Sequence, residues 1–181
     1  MAVITNSESS TLISGTNNND SISNTGENVT INGGAGNDKI VNDRQMVWID
    51  KANSTETFKP DNSTLDGGEG NDYIFNVGSN VLIFGGAGND SIDNIYMDVW
   101  NSKTEKWEYI TPNDVTIAGG TGDDTINLNS YYRKKTLIQY TEGEGNDIIY
   151  GFHANSTLSI CGDSYSTKKK RCRYYRNRWR R

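Results

Sequence analysis

The sequence has little of what usually stabilises or targets a small protein. Its 181 residues include two cysteines, two prolines and one histidine, and only 33% of residues are apolar. The cysteines, Cys161 and Cys172, lack metal-ligand spacing and give no disulfide framework. No stretch approaches the roughly 18 apolar residues of a membrane-spanning helix. The start, MAVITNSESSTLISG, has neither the basic region nor the apolar run of a Sec signal peptide.

Catalytic signatures are absent as well. There is no His-Glu-x-x-His motif of a zinc protease and no Gly-x-Ser-x-Gly turn of a serine hydrolase. The single histidine, His153, lies in the run DIIYGFHANSTLSI at 147–160, and we predict a structural role for it. The other candidate acids and bases are aspartates that recur in a repeat. An enzyme is therefore the least expected class of protein.

Charge is distributed unevenly along the chain. Residues 168–181 hold nine of the 18 basic residues and no acidic one, so residues 1–167 carry a net charge of −14. An acidic body repels nucleic acid and membrane phosphates, but it attracts divalent cations. We therefore expect a cation as a partner of the body and no nucleic acid.

The C-terminal segment 161–181 is predicted to be a disordered basic tail. Its Arg and aromatic residues alternate as in some nucleic-acid-binding arms, which is one interpretation. We favour a frameshift, because DNA encoding residues 169–181, read one nucleotide later, can encode KSGVDIIVTVGDG. That alternative sequence has the alternation of a β-strand, which the basic tail lacks.

Glycine and aspartate recur at a fixed spacing. The recurring unit is a nonapeptide with the pattern Gly-Gly-x-Gly-x-Asp-x-apolar-x. Two near matches to it are EGEGNDIIY at 142–150 and GTNNNDSIS at 15–23. From Asp20 to Asp124, the aspartates at position six are 18 or 34 residues apart, which indicates 18-residue coils with 16-residue insertions in two of them. Four nonapeptides follow the pattern Gly-Gly-x-Gly-x-Asp-x-apolar-x: GGAGNDKIV at 33–41, GGEGNDYIF at 67–75, GGAGNDSID at 85–93 and GGTGDDTIN at 119–127.

A second, weaker nonapeptide lies between the motifs. Both nonapeptides begin with turn-forming residues and end in a short alternating run, so each coil is predicted to be turn, strand, turn, strand. An aliphatic residue stands eighth in every copy and is expected to point into a narrow core. The copies of the weaker nonapeptide lie at 24–32, 58–66, 76–84 and 110–118.

The two insertions, 42–57 and 94–109, are interpreted as extruded β-hairpins with tips near Ala52–Ser54 and Asn101–Thr104. Because both follow a motif at the same offset, they should project from the same edge. Four aromatic residues would cluster there and either pack over the body or bind a glycan or protein partner. These residues are Trp48, Trp100, Trp107 and Tyr109.

The nonapeptide pattern resembles the RTX, or hemolysin-type, calcium-binding repeats over roughly residues 15–160. This resemblance implies an all-β fold, a right-handed parallel β-roll (β-solenoid), here with the two extruded hairpins. It also implies Ca²⁺ between successive turns and a chain that folds on calcium. Residues 1–14 are expected to form an N-terminal cap. The alternatives from the residues alone are a metal-free β-solenoid or a flexible acidic linker.

The resemblance also implies the ligands. Motifs occur on one edge only, so we expect a single ladder of about three to five ions and no binding at the other edge. The implied carboxylate ligands are Asp38, Asp72, Asp90, Asp124 and Asp147, with Asp20 as a sixth candidate. The implied carbonyl ligands are Gly34, Gly36, Gly68, Gly70, Gly86, Gly88, Gly120, Gly122 and Gly145.

The expected function is calcium binding by a non-catalytic, monomeric module of a secreted or cell-surface bacterial protein. Members of the family are exported by type I secretion, which uses no Sec signal. An adhesion or spacer module that binds through the aromatic hairpins is the alternative.

Overall fold

Short alternating segments between glycine-rich and asparagine-rich turns form strands throughout the chain. The computed structural model describes residues 1–49, 54–58, 60–101, 105–128 and 134–162, and this part of the chain contains strands and no helix. None of the described residues could therefore cross a membrane as a helix. The strands are β1 (Val3–Asn6), β2 (Leu12–Thr16), β3 (Ser21–Asn24), β4 (Thr30–Ala35), β5 (Lys39–Asn42), β6 (Gln45–Ile49), β7 (Ser54–Phe58), β8 (Thr64–Glu69), β9 (Tyr73–Asn76), β10 (Leu82–Ala87), β11 (Ser91–Asn94), β12 (Met97–Asn101), β13 (Lys106–Ile110), β14 (Val115–Thr121), β15 (Thr125–Leu128), β16 (Thr136–Thr141), β17 (Ile148–Tyr150) and β18 (Ser156–Cys161).

Successive coils stack into two parallel sheets. The first sheet has the order β1-β3-β5-β9-β11-β15-β17, and the second has the order β18-β16-β14-β10-β8-β4-β2. Every main-body strand pairs in parallel with the equivalent strand of the next coil, for example Ile40 with Ile74 and Ile31 with Leu65. The predicted all-β parallel β-roll is confirmed.

The core is a narrow row of aliphatic side chains between the two sheets. Each coil contributes the eighth residue of both nonapeptides, and these side chains are fully buried along the middle of the roll. Ile149, the last in the row, is only partly buried but packs against the same cluster. The first-sheet members are Ile22, Ile40, Ile74, Ile92 and Ile126, and the second-sheet members are Ile31, Leu65, Ile83 and Ile117.

Both insertions form antiparallel hairpins, as predicted. Strand β6 pairs with β7, and β12 pairs with β13. Each hairpin follows a strand of the first sheet, and the Arg44 guanidinium donates a hydrogen bond of 3.4 Å to the Asp98 carbonyl. The two hairpins therefore leave the same edge side by side. Of the predicted tips, Ala52–Ser54 and Asn101–Thr104, residues 52–53 and 102–104 lie outside the described residues.

At each end of the roll, the outermost strand of each sheet comes from one end of the chain. Strands β1 and β2 are the outermost strands at the N-terminal end, where residues 1–14 were predicted to form a cap. That capping role stays a prediction. Strand β18 ends at Cys161, so the first residue of the predicted tail 161–181 lies in a strand. Residues 163–181 of that tail lie outside the described residues.

A ladder of buried asparagines holds the edge at which the first sheet turns into the second, called here the asparagine edge. From Asn6 to Asn76, each Asn Nδ2 donates to the Oδ1 of the Asn in the next coil, over 2.7–2.9 Å. Most of these amides also bond the backbone two residues on, as Asn76 does with the nitrogen and oxygen of Gly78. Each amide is thus satisfied without solvent. The rungs are Asn6, Asn24, Asn42, Asn76 and Asn94.

Replacing one rung should destabilise the roll. Asn76→Ala removes the acceptor for Asn42 and the donor for Asn94, so buried polar atoms lose their partners. We expect the free energy of unfolding to fall by about 1–3 kcal/mol, measured by urea denaturation in buffer containing calcium. Asn32→Ala, the same change at an exposed position of β4, is the control and should shift it by less than about 0.5 kcal/mol. Equal effects of the two changes would contradict the ladder's role.

Candidate metal centre

The glycine-aspartate motifs form the opposite edge, where the second sheet turns into the first, called here the glycine edge. Register places equivalent glycines of successive coils side by side, as Gly34 with Gly68 and Gly86 with Gly120. The predicted ligands of the four full motifs therefore share one edge in one row. The described residues of the aromatic hairpins lie at the asparagine edge, away from them.

The residues at positions two and four of each full motif need to be glycine. Gly68 has a φ of 103°, and a Cβ there would overlap the carbonyl oxygen of Gly34 in the preceding coil. Gly70 has a φ of 123° and would likewise overlap the oxygen of Gly36. Side chains are excluded by both conformation and space. The carbonyl oxygens of positions two and four consequently stack along the edge.

The motif aspartates form a second ladder beneath these turns. Each backbone nitrogen donates to the Oδ1 of the aspartate in the next coil, for example Asp38 to Asp72 at 2.7 Å and Asp72 to Asp90 at 2.8 Å. The side chains are 1–3% exposed from Asp20 to Asp124. One carboxylate oxygen of each rung is thereby fixed and satisfied.

The other oxygen, Oδ2, has no hydrogen-bond partner in four successive rungs. These buried atoms belong to Asp38, Asp72, Asp90 and Asp124. Buried acceptors without a partner are costly and rare, and a row of four indicates that something absent from the protein atoms compensates them.

The surroundings of each unpartnered oxygen form a small cradle. A Cβ added at Gly67 would overlap both Asp72 Oδ2 and the Gly85 carbonyl oxygen of the next coil. The carboxylate and carbonyl oxygens thus converge on the space that the first glycine leaves open. These first-position carbonyls were missing from the predicted ligands, although the first Gly of each full motif was the available signal. The cradle glycines are Gly33, Gly67, Gly85 and Gly119.

Burial changes the acidity of the motif aspartates. Desolvation raises the pKa of Asp72 to about 6 and that of Asp90 to about 7, and neighbouring carboxylates add to both shifts. Desolvation also raises the pKa of Asp38 and of Asp124. The charged form of these carboxylates is therefore disfavoured by burial and by repulsion between neighbours, and a bound cation would offset both effects.

The two end turns differ from the middle of the row. Asp147 is partly buried, its Oδ1 accepts a hydrogen bond of 3.1 Å from Asp124 N, and desolvation raises its pKa to about 6. Asp20 instead has partners on both oxygens, and the backbone hydrogen bond from Ala2 leads the causes that lower its pKa. The ligand roles of Asp20 and Asp147, like those of the other motif aspartates and glycines, stay predictions.

The chemistry of the donors fits calcium. Nowhere in the described part of the chain do three or more carboxylate, imidazole or thiolate side chains converge in a metal cluster. The cradles instead offer one carboxylate oxygen with backbone carbonyls. All are hard oxygen donors, which Ca²⁺ takes in numbers of six to eight with loose geometry, whereas zinc prefers nitrogen and sulfur.

A family model described as the RTX calcium-binding nonapeptide repeat matches residues 14–45, 60–76, 78–94, 114–130 and 143–155, which together are more than half of the chain. The chain belongs to the RTX calcium-binding repeat family. The matched ranges include every turn of the glycine edge, which agrees with the position of the cradles. Searches of curated proteins and of solved structures gave no significant match.

The raised pKa values of Asp72 and Asp90 predict a pH dependence of the RTX roll. Between about pH 4 and pH 7 the folded, calcium-free roll holds protons on Asp72 and Asp90 that the unfolded chain releases, so acid stabilises it. That stability is lost as pH rises through about 6–7. Calcium-free protein should show more β signal by circular dichroism at pH 5 than at pH 7.5.

Calcium needs the same carboxylates in their charged form, so calcium affinity should change in the opposite sense. Titration calorimetry should give weaker binding at pH 5.5 than at pH 7.5. Affinity that is unchanged or higher at pH 5.5 would contradict the assignment of the aspartates as ligands.

Proposed function

We propose that this RTX repeat chain is a non-catalytic module that binds about three to five calcium ions at the glycine edge and folds when it does so. The row of four buried Oδ2 atoms without partners carries this proposal. Asp38, Asp72 and Asp90 each face the first-position carbonyl of the next coil, and Asp124 faces the coil that contains Asp147. The lower bound of three ions corresponds to the three complete cradles.

Electrostatics make the calcium-free roll unfavourable. Rungs one strand spacing apart, about 4.8 Å, place successive carboxylates near one another along the glycine edge. Two such charges repel by about 3 kcal/mol at an effective dielectric constant of 20. A divalent cation between rungs turns this repulsion into attraction.

Calcium at extracellular concentrations is sufficient to stabilise the fold. For a site with a Kd of about 0.2 mM, roughly 2 mM calcium contributes about 1.4 kcal/mol. Four independent sites contribute about 6 kcal/mol, which is comparable to the total stability of a domain, about 5–15 kcal/mol. The chain would stay unfolded in calcium-poor cytosol and fold outside the cell. Such behaviour suits a monomeric module of a bacterial protein exported by type I secretion to the medium or the cell surface.

The proposed folding is tested by a calcium titration followed by far-UV circular dichroism. We expect a cooperative gain of β signal near millimolar calcium and no gain with magnesium, which requires a stricter geometry. Asp72→Asn should shift the midpoint to higher calcium, because it removes one charge from the middle of the row. The matched control is Asp98→Asn on hairpin β12–β13, which should leave the midpoint unchanged. A full β signal in calcium-free buffer would refute calcium-driven folding.

Adhesion through hairpin β12–β13 is a second candidate function. Trp100 and Trp107 lie opposite each other across the two strands, with ring centroids 5.4 Å apart, and they are 46% and 59% exposed. Tyr109 is also exposed and contacts Tyr96 edge-on at 6.0 Å. Exposed aromatic rings of this size are typical of binding surfaces for sugars and proteins. Trp48 lies in β6 opposite Thr55, but its side chain is outside the described part.

Adhesion predicts a loss of binding that leaves the roll intact. On a glycan array with calcium present, Trp107→Ala should abolish any signal that the wild-type protein gives, because an exposed ring of the pair is removed. Phe84→Ala, at an exposed aromatic on the second sheet, is the control and should keep it. A wild-type protein without glycan binding, or a Trp107→Ala variant that binds as well, would refute this function.

A further inference from the structure

We infer that Thr16 closes the first turn of the glycine edge, residues 15–20, to calcium, so that the array begins with a coil that needs no ion. This inference rests on the calcium-binding function proposed above. It concerns which of the repeated turns bind and which residue decides it.

The first turn occupies a regular rung of the aspartate ladder. Asp20 is 3% exposed, and its backbone nitrogen donates to Asp38 Oδ1 at 2.7 Å, as the later aspartates do to their successors. A Cβ added at Gly15 would overlap the Gly33 carbonyl oxygen, so the carbonyl of the next coil is also in place. Position alone would therefore make this turn a calcium site.

The hydrogen bonds of Asp20 set it apart. Its Oδ2 accepts from the Thr16 backbone nitrogen at 2.6 Å and from Thr16 Oγ1 at 2.8 Å. Its Oδ1 accepts from the backbone nitrogen of Ala2. The equivalent Oδ2 in the next four rungs has no partner. Two donors from Thr16 thus occupy the oxygen that the other turns leave open.

The identity of the second residue in the motif explains this difference. In the four full motifs this residue is a glycine with a φ between 103° and 115°. Thr16 is not among the residues with positive φ, and it ends strand β2. A β-branched residue is strongly disfavoured at positive φ, so the backbone of this turn differs and directs its N–H at Asp20. Calcium would have to displace both donors to reach the carboxylate.

Ion counting by equilibrium dialysis at saturating calcium tests the inference. Asp20→Asn should bind as many ions as the wild-type protein, while Asp72→Asn should bind at least one fewer. Loss of an ion in Asp20→Asn, from a wild-type protein that binds calcium, overturns the inference and leaves the proposed function standing. A wild-type protein that binds no calcium overturns both.

A gain of binding tests the role of Thr16 itself. The double variant Thr16→Gly/Asn18→Gly gives the first turn the glycine pattern of the full motifs, and we expect it to bind one additional ion. Adding Asp20→Asn to that variant should remove the additional ion. Thr16→Ser, which keeps both donors, is the matched control and should bind the wild-type number. A double variant that is folded by circular dichroism yet gains no ion overturns the assignment to Thr16.

Discussion

The structure depends on a row of buried aspartate carboxylates. In four successive coils, protein hydrogen bonds satisfy only one of the two carboxylate oxygens. A carboxylate accepts hydrogen bonds but donates none, and the backbone nitrogen of the preceding coil satisfies only one oxygen of each aspartate, as Asp38 does for Asp72. The second oxygen of Asp38, Asp72, Asp90 and Asp124 is left buried without a partner. Supplying a cation to these oxygens completes the edge, and withdrawing it leaves adjacent buried charges. The calcium dependence that we propose would therefore follow from an aspartate at motif position six together with a glycine at position two.

The asparagine edge also stacks buried polar side chains from coil to coil, but there the side chains satisfy one another. An amide both donates and accepts, so each rung satisfies its neighbour, as Asn42 does with Asn76 at 2.9 Å. Asp38 and Asn42 are only four residues apart, yet they lie at the two ends of strand β5. The coils of Asp38, Asp72 and Asp90 thus combine one neutral edge that is complete without ions and one charged edge that is not.

Much of this was predictable because each coil repeats the same local rules. The eighth position of both nonapeptides, as at Ile40 and Ile31, gave the core, and the equal offsets of the insertions gave two hairpins on one edge. The asparagine ladder was missed, because an Asn at a strand end reads as an ordinary turn residue until register brings the rungs together. The first-glycine carbonyls were missed although the first Gly of each full motif was visible in the sequence. Only the stacking of the coils shows that the Gly85 carbonyl oxygen and Asp72 Oδ2 converge on the same space beside Gly67.

The neutral edge also explains where the chain accepts insertions. Asn42 and Asn76 are 34 residues apart and Asn76 and Asn94 are 18 apart, yet their amide contacts are 2.9 Å and 2.8 Å. Doubling a loop costs only about 0.6 kcal/mol of closure entropy, which an intact rung offsets. An insertion at the glycine edge would instead interrupt the contact between successive turns that each cradle requires. The division of the two edges thus lets the exposed aromatic hairpins project without disturbing the carboxylate row that we propose to bind calcium.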